Sequence, residues 1–325
     1  MNVLITGVAG FIGFNLAKNL IKNFKVVGID NINSYYSQKL KKDRINNLKS
    51  KNFKFYKLDI TQTKKLTRII KKNKITHIVH LAAQAGVRYS LKFPQKYFHS
   101  NLLGTFSVLE CCKNLKIKNL LLASTSSVYG DTKQKFFKEN FSADNPIQFY
   151  AATKRSSEIM AYSYSSLYKI PTICMRFFTV YGPWGRPDMA YFKFTKNIIE
   201  NKKIDIFNHG KHTRDFTYID DVIFMIKSLL KKPPDIKKKT NDNAPYRVFN
   251  LSAGKNVQLM SYVNEIKKNL GKKVRINYLS LQTGDMINTR SSTKQLKKYI
   301  SVKTTTNYKD GIRKFIKWYK NYYKK

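Results

Sequence analysis

Tyr150 and Lys154 stand four residues apart, a spacing that puts a phenol and an ammonium on one face of a helix. The pair alone carries little. With 21 tyrosines and a great excess of lysine, about three such pairs arise by chance, and the sequence holds four, starting at Tyr35, Tyr129, Tyr150 and Tyr299. Only Tyr150 follows, at a helix-sized interval, a strand-like run that ends in the hydroxyl cluster Ser124-Thr125-Ser126-Ser127. In that setting a neighbouring ammonium favours phenolate over phenol and pulls the tyrosine below its reference pKa of about 10. Tyr150 then serves as general base, Lys154 supplies the charge that tunes it, and Thr125 holds the same substrate oxygen and relays its proton.

A second motif names the chemistry that such a base would serve. Gly7-Val-Ala-Gly10-Phe11-Ile12-Gly13 follows the first β-branched run and opens a helical one, where backbone amides and the positive helix end can hold a pyrophosphate. The spacing is GxxGxxG, which chance places in roughly three sequences in a hundred, and fewer in this strand-to-helix context. Asp30 ends the second run, 17 residues after Gly13. A carboxylate there bonds both ribose hydroxyls and repels a 2′-phosphate, which favours NAD over NADP; the alternative is a turn residue beside Asn31. Asp59, at the end of the third run, either bonds the adenine amino group or is structural.

These residues need a scaffold, and the chain supplies its rhythm. Strand-like runs at Asn2–Thr6, Lys25–Asp30, Phe53–Ile60, His77–Ala83, Asn119–Ser127 and Thr172–Phe178 alternate with helical ones at Phe11–Asn23, Thr63–Asn73, Tyr97–Asn114 and Ala151–Tyr168. The alternation predicts an α/β fold with a doubly wound parallel sheet of Rossmann type. It fades after residue 178, where a Pro/Gly-marked stretch, a polar loop at Lys231–Arg247 and a Lys/Tyr-rich final helix follow. The expectation is a cofactor domain over residues 1–178, completed by part of 213–250, and a smaller mixed α/β substrate-binding region over 179–325.

Composition narrows the class. At 325 residues and 42% hydrophobic, the chain can bury a full core, which excludes a disordered tail. No run approaches the roughly 18 apolar residues of a spanning helix, so neither membrane insertion nor a signal peptide is expected. The net charge of +43 would ordinarily point to nucleic acid or an acidic membrane. Only 11 of the 62 basic residues are Arg, however, and the lysines are spread from Lys18 to Lys325 rather than clustered among aromatics. No nucleic-acid partner is expected; an anionic small substrate is compatible. Cys111, Cys112 and Cys174 fit neither a disulfide framework nor a zinc site, and the five histidines form no ligand pattern, so no metal is expected and the compartment reads as a reducing cytoplasm. His77 and His80 flank a strand-like run and read as packing residues.

The motifs together resemble the extended short-chain dehydrogenase/reductases of the NAD-dependent epimerase/dehydratase family, and within it the UDP-glucuronate 4-epimerases. The resemblance rests on the glycine loop, Asp30-Asn-Ile-Asn-Ser-Tyr-Tyr36, His80-Leu-Ala-Ala-Gln-Ala-Gly-Val-Arg-Tyr-Ser90, Tyr150-Ala-Ala-Thr-Lys154, the Arg176–Ala190 string and Arg214-Asp-Phe-Thr-Tyr-Ile-Asp-Asp221. It implies NAD held by Gly7, Gly10, Phe11, Ile12, Gly13, Asp30, Asn31, Asp59, Ile60, Leu81, Ala82, Ala83, Tyr150 and Lys154. It implies a UDP-sugar as substrate, with Ser126, Ser127, Thr179 and Arg186 on a carboxylate, Arg214 on the diphosphate, Arg88 over the sugar or phosphate, and Asp285 on the uridine ribose. For Arg186 the alternative is a surface loop residue, and for Arg88 and Arg214 a solvated arginine. Dehydratases of the family carry Asp-Glu where Ser126 and Ser127 stand, and decarboxylases tend to carry Glu in place of Ser127; decarboxylation, or epimerisation of another UDP-sugar, is the second reading. The family's Ala-Asp pair is replaced here by Ser291-Ser292. A homodimer through the Tyr97–Asn114 and Ala151–Tyr168 helices is implied, unless their apolar faces are core, and a role in surface polysaccharide synthesis. The reading from another class is a non-catalytic NAD-bound scaffold with a basic surface, which has no need of Thr125, Tyr150 and Lys154 together.

Overall fold

The computed structural model describes residues 1–130, 136–235, 244–282, 286, 288–302 and 305–324. In chain order its strands are β1 (Asn2–Thr6), β2 (Lys25–Asp30), β3 (Phe53–Lys57), β4 (His77–His80), β5 (Asn119–Thr125), β6 (Thr172–Phe177), β7 (Thr179–Tyr181), β8 (Ile204–Phe207), β9 (Thr213–Arg214), β10 (Phe216–Tyr218), β11 (Tyr246–Leu251), β12 (Val257–Gln258) and β13 (Ile276–Leu279). Among the described residues seven of them form one parallel sheet in the order β11-β6-β5-β4-β1-β2-β3. Strand β1 pairs with β2 through Thr6 and Ile29 and with β4 through Thr6 and His80, so the order reverses beside the glycine loop. That is the switch point where doubly wound sheets bind ligands.

Burial on both faces explains why the central strands are continuous apolar runs rather than alternating ones. Every residue of β5, Asn-Leu-Leu-Leu-Ala-Ser-Thr, is buried. The helices that flank the sheet in its first half are α1 (Phe11–Leu20), α2 (Gln38–Asn46), α3 (Thr63–Lys72), α4 (Val87–Lys92), α5 (Pro94–Tyr97), α6 (Gly104–Asn114) and α7 (Phe149–Tyr168). Helix α3 shows the logic: Leu66 and Ile70 are buried one turn apart while its lysines face water. Between α5 and α6 the chain stays helical but widens into a π-turn at Phe98–Leu103, which carries Asn101 into the interior.

The chain divides into two compact units: Met1–Gly130 with Ser142–Arg176 and Ile223–Phe249, and Asp131–Phe141 with Phe177–Val222 and Asn250–Lys325. In the second unit short strands pair as β7 with β10, β8 with β13 and β9 with β12. Four expected strands end early. The run to Ile60 stops at Lys57, that to Ala83 at His80, that to Ser127 at Thr125 and that to Phe178 at Phe177, because each leaves the sheet at its carboxyl end. Helix α2 and strand β11 lie outside the expected runs.

The glycine loop carries a tight local constraint at Gly7, where φ is +72° and an added Cβ would lie 2.7 Å from the Ala82 nitrogen. Gly271 has a similar φ of +65° but open space around it. Gly7→Ala is therefore expected to cost roughly 2–4 kcal/mol and Gly271→Ala about 1 kcal/mol, measured by urea unfolding of each variant. Equal losses would remove the close approach as the cause.

Candidate active site

Thr125 ends β5 with extended backbone and caps the short 3-10 turn Ser126–Tyr129; its Oγ1 accepts from the Ser127 N–H at 3.2 Å. Ser126 and Ser127 are thereby the first residues of that turn, and the Thr125 hydroxyl donates to Ser127 Oγ at 3.3 Å. Tyr150 and Lys154 lie in the first turns of α7, and all three catalytic candidates are buried, Lys154 to 3% exposure. Stripping water from Lys154 pushes its pKa down to about 8, against the opposing pull of Cys174 and Glu158. The site therefore holds an amine whose charge is easily changed near neutral pH.

The elements are locked by polar groups that, His80 apart, sequence reasoning did not single out. Glu158, one turn beyond Lys154, accepts from Ser124 Oγ at 2.5 Å and from Arg176 through Nε at 2.9 Å and Nη2 at 2.8 Å. Asn101 accepts from the Gln84 N–H at 2.8 Å and donates to Thr153 Oγ1 at 2.9 Å, and Thr153 in turn donates to the Tyr150 carbonyl at 2.8 Å. Tyr97 meets the Tyr150 ring edge-on at 6.1 Å and donates to the Gly86 carbonyl. His80 bridges Thr6 at 2.7 Å and Thr105 at 3.2 Å; burial, with Lys154 nearby, holds its pKa down at about 3, so it is a neutral structural residue. The sequence signals for these groups were His80 beside its strand-like run, Glu158 at eight residues from Tyr150, and Arg176 and Gln84 within the motif strings.

Apart from Tyr150 and Lys154 on α7, the cofactor candidates lie at or past the carboxyl ends of β1, β2, β3 and β4. The Gly7 N–H donates to the Ile29 carbonyl at 2.7 Å, and Gly10 N–H closes the loop onto the Gly7 carbonyl at 2.9 Å. Gly10 stands at the N-terminus of α1, followed by Phe11, Ile12 and Gly13, with no acidic side chain in the first turn. Gly7 packs directly on the Leu81–Ala82 backbone, and Ala83 follows. Asp30 accepts from the Ala9 N–H at 3.0 Å and the Ile32 N–H at 2.8 Å, tying the glycine loop to the end of β2; burial raises its pKa against those bonds. Asp59, just before Ile60, accepts from Thr61 and from Asn31 Nδ2 at 2.9 Å. Burial pushes its pKa up, yet those hydrogen bonds outweigh it and the net shift is downward. Beside these groups lies a cavity of about 320 Å³ lined by Asn31, Asn33, Tyr35, Asp59, Gln84 and His99. An open glycine cradle, a bare helix end and a polar cavity beyond Asp30 fit a dinucleotide whose pyrophosphate lies on α1.

The remaining candidates fall in different places. Arg88 is exposed on α4 in the first unit. In the second unit Thr179 lies on β7 and Arg214 on β9, and the Thr179 N–H donates to the carbonyl of Asp215, the residue after Arg214, at 3.2 Å. Asp215 itself accepts from the Ala253, Gly254 and Ser291 N–H groups, which ties two further segments to the residue after Arg214. Arg186 donates to Asp188 through Nε at 3.0 Å and Nη2 at 2.5 Å, so it is an oriented fork rather than a loosely solvated arginine. Asp285 lies outside the described residues.

A doubly wound sheet with a glycine cradle at its switch point and a buried Thr, Tyr, Lys set beside it defines a dinucleotide-dependent enzyme that works on a hydroxyl-bearing carbon. The chain matches the family model for the NAD dependent epimerase/dehydratase family over residues 3–251, and it belongs to that family. It is 46% identical over 334 residues to protein CapI of Staphylococcus aureus, with both chains fully covered. It is 43% identical to a probable UDP-glucuronate 4-epimerase of Rhizobium meliloti, covering all of this chain and 98% of that one. The crystal structure of the UDP-glucuronic acid 4-epimerase of Bacillus cereus, in complex with UDP-glucuronic acid and NAD, matches with a TM-score of 0.91 at 33% identity, over 99% of this chain and all of that one.

The buried ammonium sets a stability expectation. The folded pKa of about 8 lies below the reference 10.5, so the folded state binds fewer protons and pays its full cost below pH 8, with relief as pH rises toward 10.5. Lys154→Met in the NAD-free chain is expected to gain up to about 3 kcal/mol at pH 7 and to lose that advantage by about pH 10.5, read from thermal unfolding across pH. A variant no more stable at pH 7 would contradict the burial cost.

Proposed function

We propose that this chain is an NAD-dependent 4-epimerase that interconverts UDP-glucuronate and UDP-galacturonate. The observation that carries the reading is the buried Thr125, Tyr150, Lys154 set on the dinucleotide-binding sheet, combined with full-length similarity to proteins described as UDP-glucuronate 4-epimerases. Bound NAD supplies reversible oxidation at the sugar's C4, so no external redox partner is needed. Tyr150 takes the proton of the C4 hydroxyl and returns it to the same oxygen after the 4-keto sugar has turned its other face to the nicotinamide, so that hydride would come back to the opposite face of C4 and invert the centre. Lys154 favours the phenolate while it is charged, and Thr125 holds the same oxygen. Lys154's pKa near 8 makes that help strongest below pH 8.

The 4-keto uronate is a β-keto acid, and epimerisation without loss of CO2 requires a firm hold on its carboxylate. Ser126, Ser127, Thr179 and Arg186 are the residues assigned to that hold, Arg214 and Arg88 to the diphosphate and sugar, and Asp285 to the uridine ribose. A hydroxyl pair at 126–127 provides neither acid nor base for elimination. Cytoplasmic action, in surface polysaccharide synthesis, is part of the same reading; among the described residues no helix is long and apolar enough to cross a membrane.

Purified protein incubated with UDP-glucuronate is expected to give UDP-galacturonate by NMR, and Tyr150→Phe to lower turnover by about a thousandfold or more while NAD stays bound. A UDP-pentose as sole product, no turnover, or near-normal turnover in Tyr150→Phe would each defeat the assignment. We also propose a homodimer through α6 and α7, which leave Phe106 at 46%, Ile159 at 55% and Leu167 at 69% exposure. Light scattering is expected to read twice the chain mass for the wild type and a monomer for Ile159→Glu with Leu167→Glu; a monomeric wild type ends this proposal.

A further inference from the structure

The loop Gly182–Met189 lies between β7 and the helix Ala190–Ile199 and carries Arg186 at its centre. Its backbone is not relaxed. Trp184 has φ +63°, the left-handed region that a bulky residue enters only under strain. The compensation is aromatic: the Trp184 ring packs 5.4 Å from Trp318 and 5.1 Å from Tyr322, and those two rings stack at 5.4 Å with 19° between planes. Both partners stand on the C-terminal helix Tyr308–Tyr323. The same helix grips the chain just past the loop, with Phe315 at 4.9 Å from Tyr191 and Tyr319 at 5.2 Å from Phe192. Gly185 sits so tightly on the Tyr191 ring that no Cβ fits. A segment of eight residues is thus held at both ends by one helix more than a hundred residues away in sequence, and Asp188 orients the arginine between the two holds.

We propose that Trp184, Trp318 and Tyr322 form an aromatic clasp that positions Arg186, and that this clasp sets the enzyme's preference for substrates bearing a carboxylate. The inference rests on the reading of Arg186 as a carboxylate ligand. An arginine fork must be placed to within a few tenths of an ångström to meet a carboxylate with two bonds. A loop of eight residues would not do so unaided, whereas rings at both ends turn it into a rigid mount. These are positioning residues: their loss changes the affinity for the uronate and leaves the proton transfer at Tyr150 intact.

The experiment compares the wild type, Trp184→Gly, Trp184→Phe and Trp318→Leu. Glycine accepts the positive φ without strain, so Trp184→Gly removes the ring and not the backbone conformation. The KM for UDP-glucuronate is expected to rise about tenfold or more in Trp184→Gly and Trp318→Leu, with kcat within about threefold and affinity for UDP unchanged, and Trp184→Phe to recover most of the loss. The chain has two tryptophans, both in the clasp, so wild-type tryptophan emission is expected to respond to UDP-glucuronate beyond its response to UDP. If Trp184→Gly does not fold, Trp318→Leu and the wild-type emission carry the test. An unchanged KM, equal losses for UDP and UDP-glucuronate, or identical emission with the two ligands overturns the clasp while wild-type turnover leaves the functional reading standing. A wild type that does not turn over UDP-glucuronate overturns the functional reading and the clasp with it.

Discussion

Glu158 is a carboxylate with no exposed surface, and the catalytic geometry depends on how its charge is met. An isolated carboxylate there would be several kcal/mol too costly to keep ionised. Arg176 meets it with two parallel bonds, Ser124 adds a third and Arg155 a fourth at 3.1 Å, and together they hold its pKa low against burial. Those partners come from β5, β6 and α7, so one charge fastens three elements. Thr125 is the next residue after Ser124, and Lys154 lies one turn before Glu158. The distance between the hydroxyl on the strand and the amine on the helix is therefore fixed by a pair that touches neither. Breaking such a pair leaves an unpaired buried charge, and the damage would appear as misplacement of Thr125 against Tyr150.

A second brace works from the other side of α7 without net charge. The π-turn at Phe98–Leu103 places Asn101 where its amide satisfies Gln84 and Thr153 together, and Thr153 reaches the Tyr150 carbonyl. His80, neutral through burial, continues the same set of bonds to Thr6 at the root of the glycine loop. The cofactor cradle and the catalytic helix are thus parts of one hydrogen-bonded interior. A neutral brace suits this position: Lys154 is already near the pH at which it loses its proton, and a second cation beside it would depress that pKa further.

How far this was readable from the chain follows from what leaves a local mark. Strands β1 and β2 end where their β-branched runs end, and the glycine loop falls between β1 and α1, because backbone sterics and continuous burial write themselves into residue type. Helix α2 went unseen because Gln38–Asn46 is almost wholly polar and buries Lys41 and Arg44 instead of an apolar stripe. Strand β11 went unseen because its first three residues are only partly buried. Among the site residues, Tyr150 and Lys154 announce themselves by spacing, whereas Asn101 depends on a widened helical turn and Glu158 on partners 34 and 18 residues away. Such groups have no periodicity. Arg186 was visible as an arginine, but its pairing with Asp188 two residues on changes it from a free fork into an oriented one.

The division of labour between the two units has a consequence for how such an enzyme can change. The scaffold described for Thr125, Tyr150 and Lys154 is built from the first unit's own residues, as is the glycine cradle. Thr179, Arg186 and Arg214 belong to the second unit, where Asp215 and an aromatic helix hold them. Proton transfer at C4 is common chemistry for any sugar nucleotide, so the first scaffold gains nothing from variation and loses alignment by it. On the proposed assignment, recognition of a carboxylate is a local matter of one fork and a few hydroxyls, and it can drift in the second unit without disturbing the base. On that same assignment Ser126 and Ser127 are the exception: they stand one and two residues from Thr125, and any side chain there would answer to both the reaction and the substrate. Those two positions, not the arginines, are accordingly where a change of substrate carries the greatest risk of a change of reaction.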